Sequence, residues 1–481
     1  MRGPHNIWRL IRTGATLERT GAMNVVLDAF DATPALRFVA KALGKPFKFL
    51  GYAGDPSMPP ATRALTALGP AYIKFGQVLS TRPDVVGDEL AVQLRVLQDK
   101  LPPFSIEQAK AEVEKELGLP VDAIFSDFSA PVAAASIAQV HRATIAETQE
   151  DVAVKVLRPG IEKAFRKDVD AFYLAARMVE LFSPGSRRLR PMEVIEHFDG
   201  VVRGELDLRL ESSAASEFAA NTKGDAGFQL PAIKWEYSAR RVMTLGWADG
   251  VPMGDNAAID AAGHDRVALG DRVLQLFLNH ALRDGYFHAD MHQGNLKVAP
   301  NGDIIAYDFG IMGHIDEYTR RVYAEILFGF IRKDYKRVAE VHFEAGYVPA
   351  DKDVDEFARA LRAVGEPIFG MDATRISMAR LLTYLFEVNP HINIWEVSNP
   401  IVTDYISKSI GPRAVIKDLS KTAMVLARFG PRLPALVENA LIRQQDETPP
   451  QRPAFRRWII LSALVGAGTA TGIIAILQAL S

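Results

Sequence analysis

The 481-residue chain contains no cysteine. Disulfides, thiolate metal sites and a cysteine nucleophile are therefore excluded. Neither sign of charge is in excess, since 56 Lys and Arg stand against 58 Asp and Glu. No nucleic-acid partner and no acidic tail is expected from that balance. Internal repeats and low-complexity tracts are absent. The N-terminus lacks the apolar core of a secretory signal, because Arg2, Arg9, Arg12 and Arg19 are spread through it.

What is present is organised around Tyr286–Gly310, YFHADMHQGNLKVAPNGDIIAYDFG. Asp290 and Asn295 are five apart, the spacing of a protein-kinase catalytic loop. Two short apolar runs flank Asn301-Gly302, a hairpin signal. That hairpin would fold Asn295 back beside Asp308 of Asp-Phe-Gly310. Phosphoryl transfer needs this set: a carboxylate (Asp290) for the acceptor, and Asn295 and Asp308 for Mg²⁺ on the phosphates of ATP.

Upstream, PVAAASIAQVHRATI and DVAVKVL read as strands separated by a polar turn. Lys155 lies inside the second, where a charge on an apolar strand needs a partner. Its place matches the kinase strand lysine that holds the α- and β-phosphates. A glycine-rich loop should precede it. Here Ala133, Ala135 and Ala138 stand at all three glycine positions, with Ala134, Ser136 and Val140 between and after them. Alanine gives up easy access to positive φ, so an altered phosphate loop is expected. A helix starting at Pro191 and running past Leu210 carries Glu205, Asp207 and Glu211. One of these acids should pair with Lys155. Arg241–Gly250 reads as a strand leading into a hinge whose backbone would hold adenine. No A-P-E sequence follows Gly310, and there is no long activation segment. The acceptor is then small or membrane-bound, or there is no transfer at all.

The N-terminal 55 residues read as partly amphipathic helix, with Phe38–Leu50 suited either to packing or to a membrane surface. A Pro-rich break follows, then helices around Leu65–Val78 and Leu90–Leu97. Lys74-Phe75-Gly76-Gln77 lies in the first, and composition alone gives it no role. Ser105–Gly118 has the cap residues of a short helix. At the other end, Trp458–Leu480 carries no charge over 23 residues. At about 1.5 Å per residue that crosses a bilayer of about 30 Å. Arg452, Arg456 and Arg457 before it keep the bulk of the chain cytoplasmic. Gly468 and Gly472 have the spacing of a helix-dimer contact, so a homodimer is one expected partner state.

Taken in order, Lys74-x-Gly-Gln77, Ala133–Ser136 with Gln139–Ala143, Val152–Lys155, Glu205-x-Asp207, His288-x-Asp-x-His-x-Gly-Asn295 and Asp308–Gly310 resemble the UbiB/AarF-type atypical kinases across residues 60–445. The resemblance implies an α+β, protein-kinase-like bilobal fold with an added helical K-x-G-Q extension over the active site. The division is then 1–55 N-terminal helices, 56–118 extension, 119–245 and 246–445 the two lobes, 446–457 a linker and 458–480 a transmembrane helix. It implies that Lys74 meets Glu205 or Asp207, with Gln77 in the same regulatory element, leaving Glu211 for Lys155. It also implies Mg²⁺-dependent ATP hydrolysis at the bacterial cytoplasmic membrane in support of ubiquinone biosynthesis, with membrane lipids, quinone precursors and quinone-biosynthesis enzymes as partners. Phosphotransfer to a small molecule or lipid, and a nucleotide-gated scaffold without catalysis, are the alternatives. The chain departs from relatives at Gly246, often Glu there, and at Ala214, often Asn. It also shows one closing span where bacterial relatives often have two.

Overall fold

The computed structural model describes residues 4–29, 32, 34–80, 86–97, 103–182, 190–369 and 394–409. The expected 458–480 span, its Gly468/Gly472 spacing and the preceding linker lie outside these. Among the described residues no helix is long and apolar enough to cross a membrane. The chain divides into two units, residues 1–213 with 232–247, and residues 214–231 with 248–481.

The first unit holds a four-stranded antiparallel sheet, ordered β1 (Phe125–Ala134), β2 (Ala138–Ile145), β3 (Asp151–Leu157) and β4 (Val242–Gly246). Along β3 the alternation of the strand puts Val152, Val154 and Val156 into the core, each fully buried. Ala153 and Lys155 take the other face. The helix Ile106–Leu117 covers the apolar face through Ala109 and Val113. It begins with a capping box between Ser105 and Gln108, and ends at Gly118 in the left-handed region. Before the sheet come α1 (Pro4–Thr20), α2 (Ala22–Ala29), α3 (Pro34–Gly44), α4 (Pro60–Leu68), α5 (Pro70–Ser80) and α6 (Asp88–Arg95). After β3 the chain continues into the long helix Ile161–Phe182.

Three sequence expectations are corrected. The run PVAAASIAQVHRATI is not one strand: the chain turns at 135–137, where Ala135 N donates to Ala138 O at 2.8 Å. The helix expected around Leu65–Val78 is two, α4 and α5, parted at Gly69 with φ +111° followed by Pro70. The acid-bearing helix is also two, Pro191–Glu205 and Leu208–Asn221. Leu208 N turns outward to Arg240 O at 2.9 Å, and the Asp207 carboxylate accepts from Arg209 N at 3.2 Å, starting the second helix afresh. Leu210 therefore does not join the buried stripe and is 58% exposed. Phe38 and Phe49 lie on α3 and the 3₁₀ turn after it, both pointing outward.

In the second unit, helix Arg266–Asn279 is capped by Asp265 and closes with a π turn, His280–Asp284. It delivers the chain to β5 (Tyr286–His288), which pairs with β8 (Met312–His314). The hairpin β6 (Leu296–Val298) and β7 (Ile304–Ala306) lies between them in the chain. Its turn is a three-residue one. Gly302 N donates to Ala299 O, Asp303 O accepts from Ala299 N, and Gly302 sits at φ +85°. Helices Glu317–Ile331, Tyr335–Glu344, Val354–Phe369 and Ile394–Ser409 follow.

Candidate functional site

In the first unit, two lysines each pair with an acid of the split helix. Lys155 of β3 is flanked across the sheet by Val140 and Met243. Its ammonium donates to both carboxylate oxygens of Glu211, at 2.7 and 2.9 Å. Both side chains are largely buried, at 17% and 11% exposure. Of the three acids the sequence left open, this is the one Lys155 meets. Lys74 of α5 pairs with Glu205 at 2.8 Å. Asp207 pairs with Arg209, whose guanidinium holds its carboxyl below the usual range.

The K-x-G-Q spacing has a packing reason. On α5, Gly76 faces the leucines that join it to α4 and α6. A Cβ there would meet Leu97 Cδ1 at 2.3 Å and Leu65 Cδ1 at 2.6 Å. The next residue, Gln77, donates its Nε2 to Leu97 O at 3.4 Å. Phe75 packs with its ring tilted against Phe172 and edge-on to Phe198, so the helix that carries Lys74 is fixed from both sides.

The alanine-rich turn follows from its backbone. Among the described residues, the non-glycine positions with positive φ are Gln149, Arg190 and Lys333. Residues 133–140 need no left-handed geometry, so alanine costs nothing there. Ala133 pairs with Val140 and Ala134 with Gln139. Ser136 is buried, and Arg158 donates to Ala135 O from Nε and Nη2 at 3.3 and 3.1 Å. Motif spacing carries no sign of that arginine brace, because it comes from the residue just after β3. At the hinge, Gly246 N donates to Ala232 O and Trp247 N to Asp151 O, so both amides are engaged within the protein.

The second unit builds the acid loop. His288 is 1% exposed and burial pushes its imidazole down, so it is neutral. Its Nδ1 accepts from Asp290 N at 3.1 Å, and its Nε2 donates to Asp308 O at 2.5 Å. One ring thus joins the acid loop to the Asp-Phe-Gly turn. Asn295 donates its amide Nδ2 to Asp290 O at 3.0 Å, leaving Oδ1 as an acceptor. Tyr307 N donates to Asn295 O at 3.3 Å, which brings the residue before Asp308 back to Asn295. The Tyr307 hydroxyl also donates to Gly294 O. Asp308 Oδ1 accepts from Gly310 N at 3.0 Å. His292 Nδ1 accepts from Gly294 N at 2.9 Å, and its Nε2 lies 3.5 Å from Asp290 Oδ2. His288, Tyr307 and Arg158 are the contributors that motif spacing alone did not assign a task.

Among the described residues no group of three His, Cys, Asp or Glu is placed to hold a metal by itself. A Mg²⁺ site completed by nucleotide phosphates needs only one or two protein oxygens. The Asn295 Oδ1 and the Asp308 carboxylate are hard oxygen donors at the two ends of one hairpin. They fit that kind of site.

The ABC1 atypical kinase-like domain family matches residues 96–342. The "Probable protein kinase UbiB" of Marinobacter nauticus is 36% identical over 420 residues, covering 80% of this chain and 77% of that protein. Proteins of the same name from Xanthomonas oryzae pv. oryzae and Aeromonas salmonicida are 36% and 35% identical, over 87% and 79% of this chain and 83% and 76% of their own. A solved Mycobacterium tuberculosis protein, described in complex with erythromycin, is 25% identical, covering 70% of this chain and 92% of its own at TM-score 0.48. The chain belongs to the ABC1 atypical kinase-like family, among its UbiB-like members.

Proposed function

We propose that this chain is a membrane-anchored, Mg²⁺-dependent ATPase that supports ubiquinone biosynthesis. The observation that carries the reading is the joined loop of the second unit, where His288 and Asn295 tie the Asp290 backbone to the Asp-Phe-Gly turn. Asp290 orients the attacking water, and Asn295 and Asp308 hold Mg²⁺ on the nucleotide phosphates. When bound, the ion neutralises charge that builds on those phosphates. Lys155, aligned by Glu211, contacts the α- and β-phosphates. Lys74, Gln77, Glu205 and Asp207 belong to a regulatory element. The missing A-P-E sequence and the short segment between Gly310 and the helix Glu317–Ile331 support hydrolysis over transfer to a protein. Turnover then serves the handling of isoprenoid quinone precursors at the bilayer, with the 458–480 segment as anchor.

A second reading, phosphotransfer to a small or lipid hydroxyl, is favoured by His292, which lies beside Asp290. Labelled ATP separates the two. Purified protein is given [γ-³²P]ATP and Mg²⁺, with and without anionic liposomes and a phenolic precursor mimic. Inorganic phosphate released faster with membrane, lost on chelation and reduced roughly 10²–10⁴-fold in Asp290→Asn, supports hydrolysis. Label on lipid or mimic supports the second reading. Tight nucleotide binding with no turnover anywhere sinks both and leaves a scaffold.

A further inference from the structure

A cavity of about 540 Å³ opens in the N-terminal helical layer of the first unit, and the phosphoryl chemistry leaves it unused. Its chemistry begins with helix spacing. His5, Trp8, Arg9 and Arg12 recur at three- and four-residue steps, so α1 presents them on one face. Arg12 lies over the Trp8 ring at 5.9 Å and the Tyr52 ring at 5.5 Å, and it donates to the Tyr52 hydroxyl at 3.2 Å. Stacking of this kind holds a guanidinium in place while its planar edge can meet an anion. Arg9 is paired with Asp168, which is the carboxylate in the lining. Lys167 adds a further cation from the long helix Ile161–Phe182. The lining thus carries an excess of positive charge beside two aromatic walls.

The rim is apolar. Ile7, Trp8 and Tyr52 are 55%, 46% and 44% exposed. Phe38 and Phe49, exposed at 75% and 74%, project from α3 and the 3₁₀ turn, both packed on α1. A free inorganic anion has no use for such walls. A molecule with an acidic head and an apolar body uses both.

We propose that this cavity binds an anionic amphiphile, its phosphate or carboxylate held by Arg12 and Lys167 and its apolar body laid against Trp8 and Tyr52. The volume suits a lipid headgroup or a small single-chain acid. The site also touches the helix of Lys74. Tyr72, two residues before that lysine, lines the cavity, shares a 2.6 Å hydrogen bond with Thr13 and stands edge-on to Phe172 at 4.8 Å. An occupant therefore presses on α5 directly.

Calorimetric titration of the full chain in a neutral detergent tests this without measuring turnover, so its failure is separate from failure of the ATPase reading. The probes are hexyl phosphate, dihexanoylphosphatidylglycerol, hexanol and inorganic phosphate. The expected result is one saturable site per chain for either or both of the first two. Hexanol should not saturate, and phosphate should bind at least tenfold more weakly. Whichever amphiphile binds tighter identifies a single-chain acid or a lipid as the source. Arg12→Gln should weaken binding at least tenfold and Trp8→Ala several-fold, with nucleotide affinity unchanged. Lys167→Gln, at an exposed position, gives the same reading if Arg12→Gln fails to fold. Unchanged binding in folded variants overturns the proposal. So does hexanol or phosphate binding as tightly as the amphiphiles.

Discussion

Lys155 and Glu211 are each more than four-fifths buried, and neither charge has water to fall back on. Removing one takes from the other a buried ion pair made at 2.7 Å. Lys155→Ala should cost about 3 kcal/mol of stability, the order found when one member of a buried pair is deleted. A thermal midpoint unchanged within one degree would contradict this. Replacing both, Lys155→Met with Glu211→Leu, should recover most of the loss, because no lone charge is left. Spacing alone announced that Lys155 needed a partner without choosing among three acids, and it was the family resemblance that pointed to Glu211. That choice is set by the turn at Leu206–Asp207, which puts Glu205 and Glu211 on separate helices and lets Arg209 take Asp207. Residue types and spacing carry motifs well, whereas a change of direction that rests on one side-chain hydrogen bond leaves little trace in them.

At the scale of elements, the legible parts were those with a local rule. The Asn301-Gly302 hairpin, the Ser105–Gly118 caps and the β3 alternation each follow from residues a few positions apart. The turn at 135–137 and the break at Gly69-Pro70 were missed for different reasons. Alanines carry no turn signal, and their turn is held by the distant Arg158. At Gly69-Pro70 the signal was there, but the apolar period ran across it. The hinge gives a test at this scale. Gly250 passes so close to β6 that an added Cβ would meet Val298 O at 2.4 Å and Val298 C at 2.9 Å. Both are backbone atoms of a paired strand and cannot swing aside. Gly250→Ala should therefore push Val251 off its register with Val298 and cost roughly 1–3 kcal/mol. Amide exchange would show it as faster opening of Val251 and Val298, and unaltered protection there would refute it.

At the scale of the molecule, buried histidines set the acid limit. His141, His280, His288 and His342 are at most 7% exposed, and burial pushes each below its ordinary value near 6.5. The unfolded chain therefore binds more protons once the pH falls below about 6.5, and stability drops with it. Asp168 acts the other way. Burial, partly offset by Arg9, raises its carboxyl to about 6, so the folded chain binds more protons between about 4 and 6. Four groups oppose one, and the net slope favours neutral pH. The melting midpoint should be lower at pH 5.5 than at 7.5, and calorimetry in buffers of different ionisation enthalpy should record proton uptake on unfolding at pH 6. Net proton release there would reverse the assignment. None of this was readable beforehand, since a histidine's burial depends on residues far away in the chain.

The turn between Glu205 and Leu208 has one more consequence. Lys74 and Lys155 each hang from a different rod, so breaking one ion pair does not drag the other's acid away. A single unbroken helix would have locked them together into one setting. Split as it is, the protein gives each ion pair, Lys74 with Glu205 and Lys155 with Glu211, a helix of its own to move with.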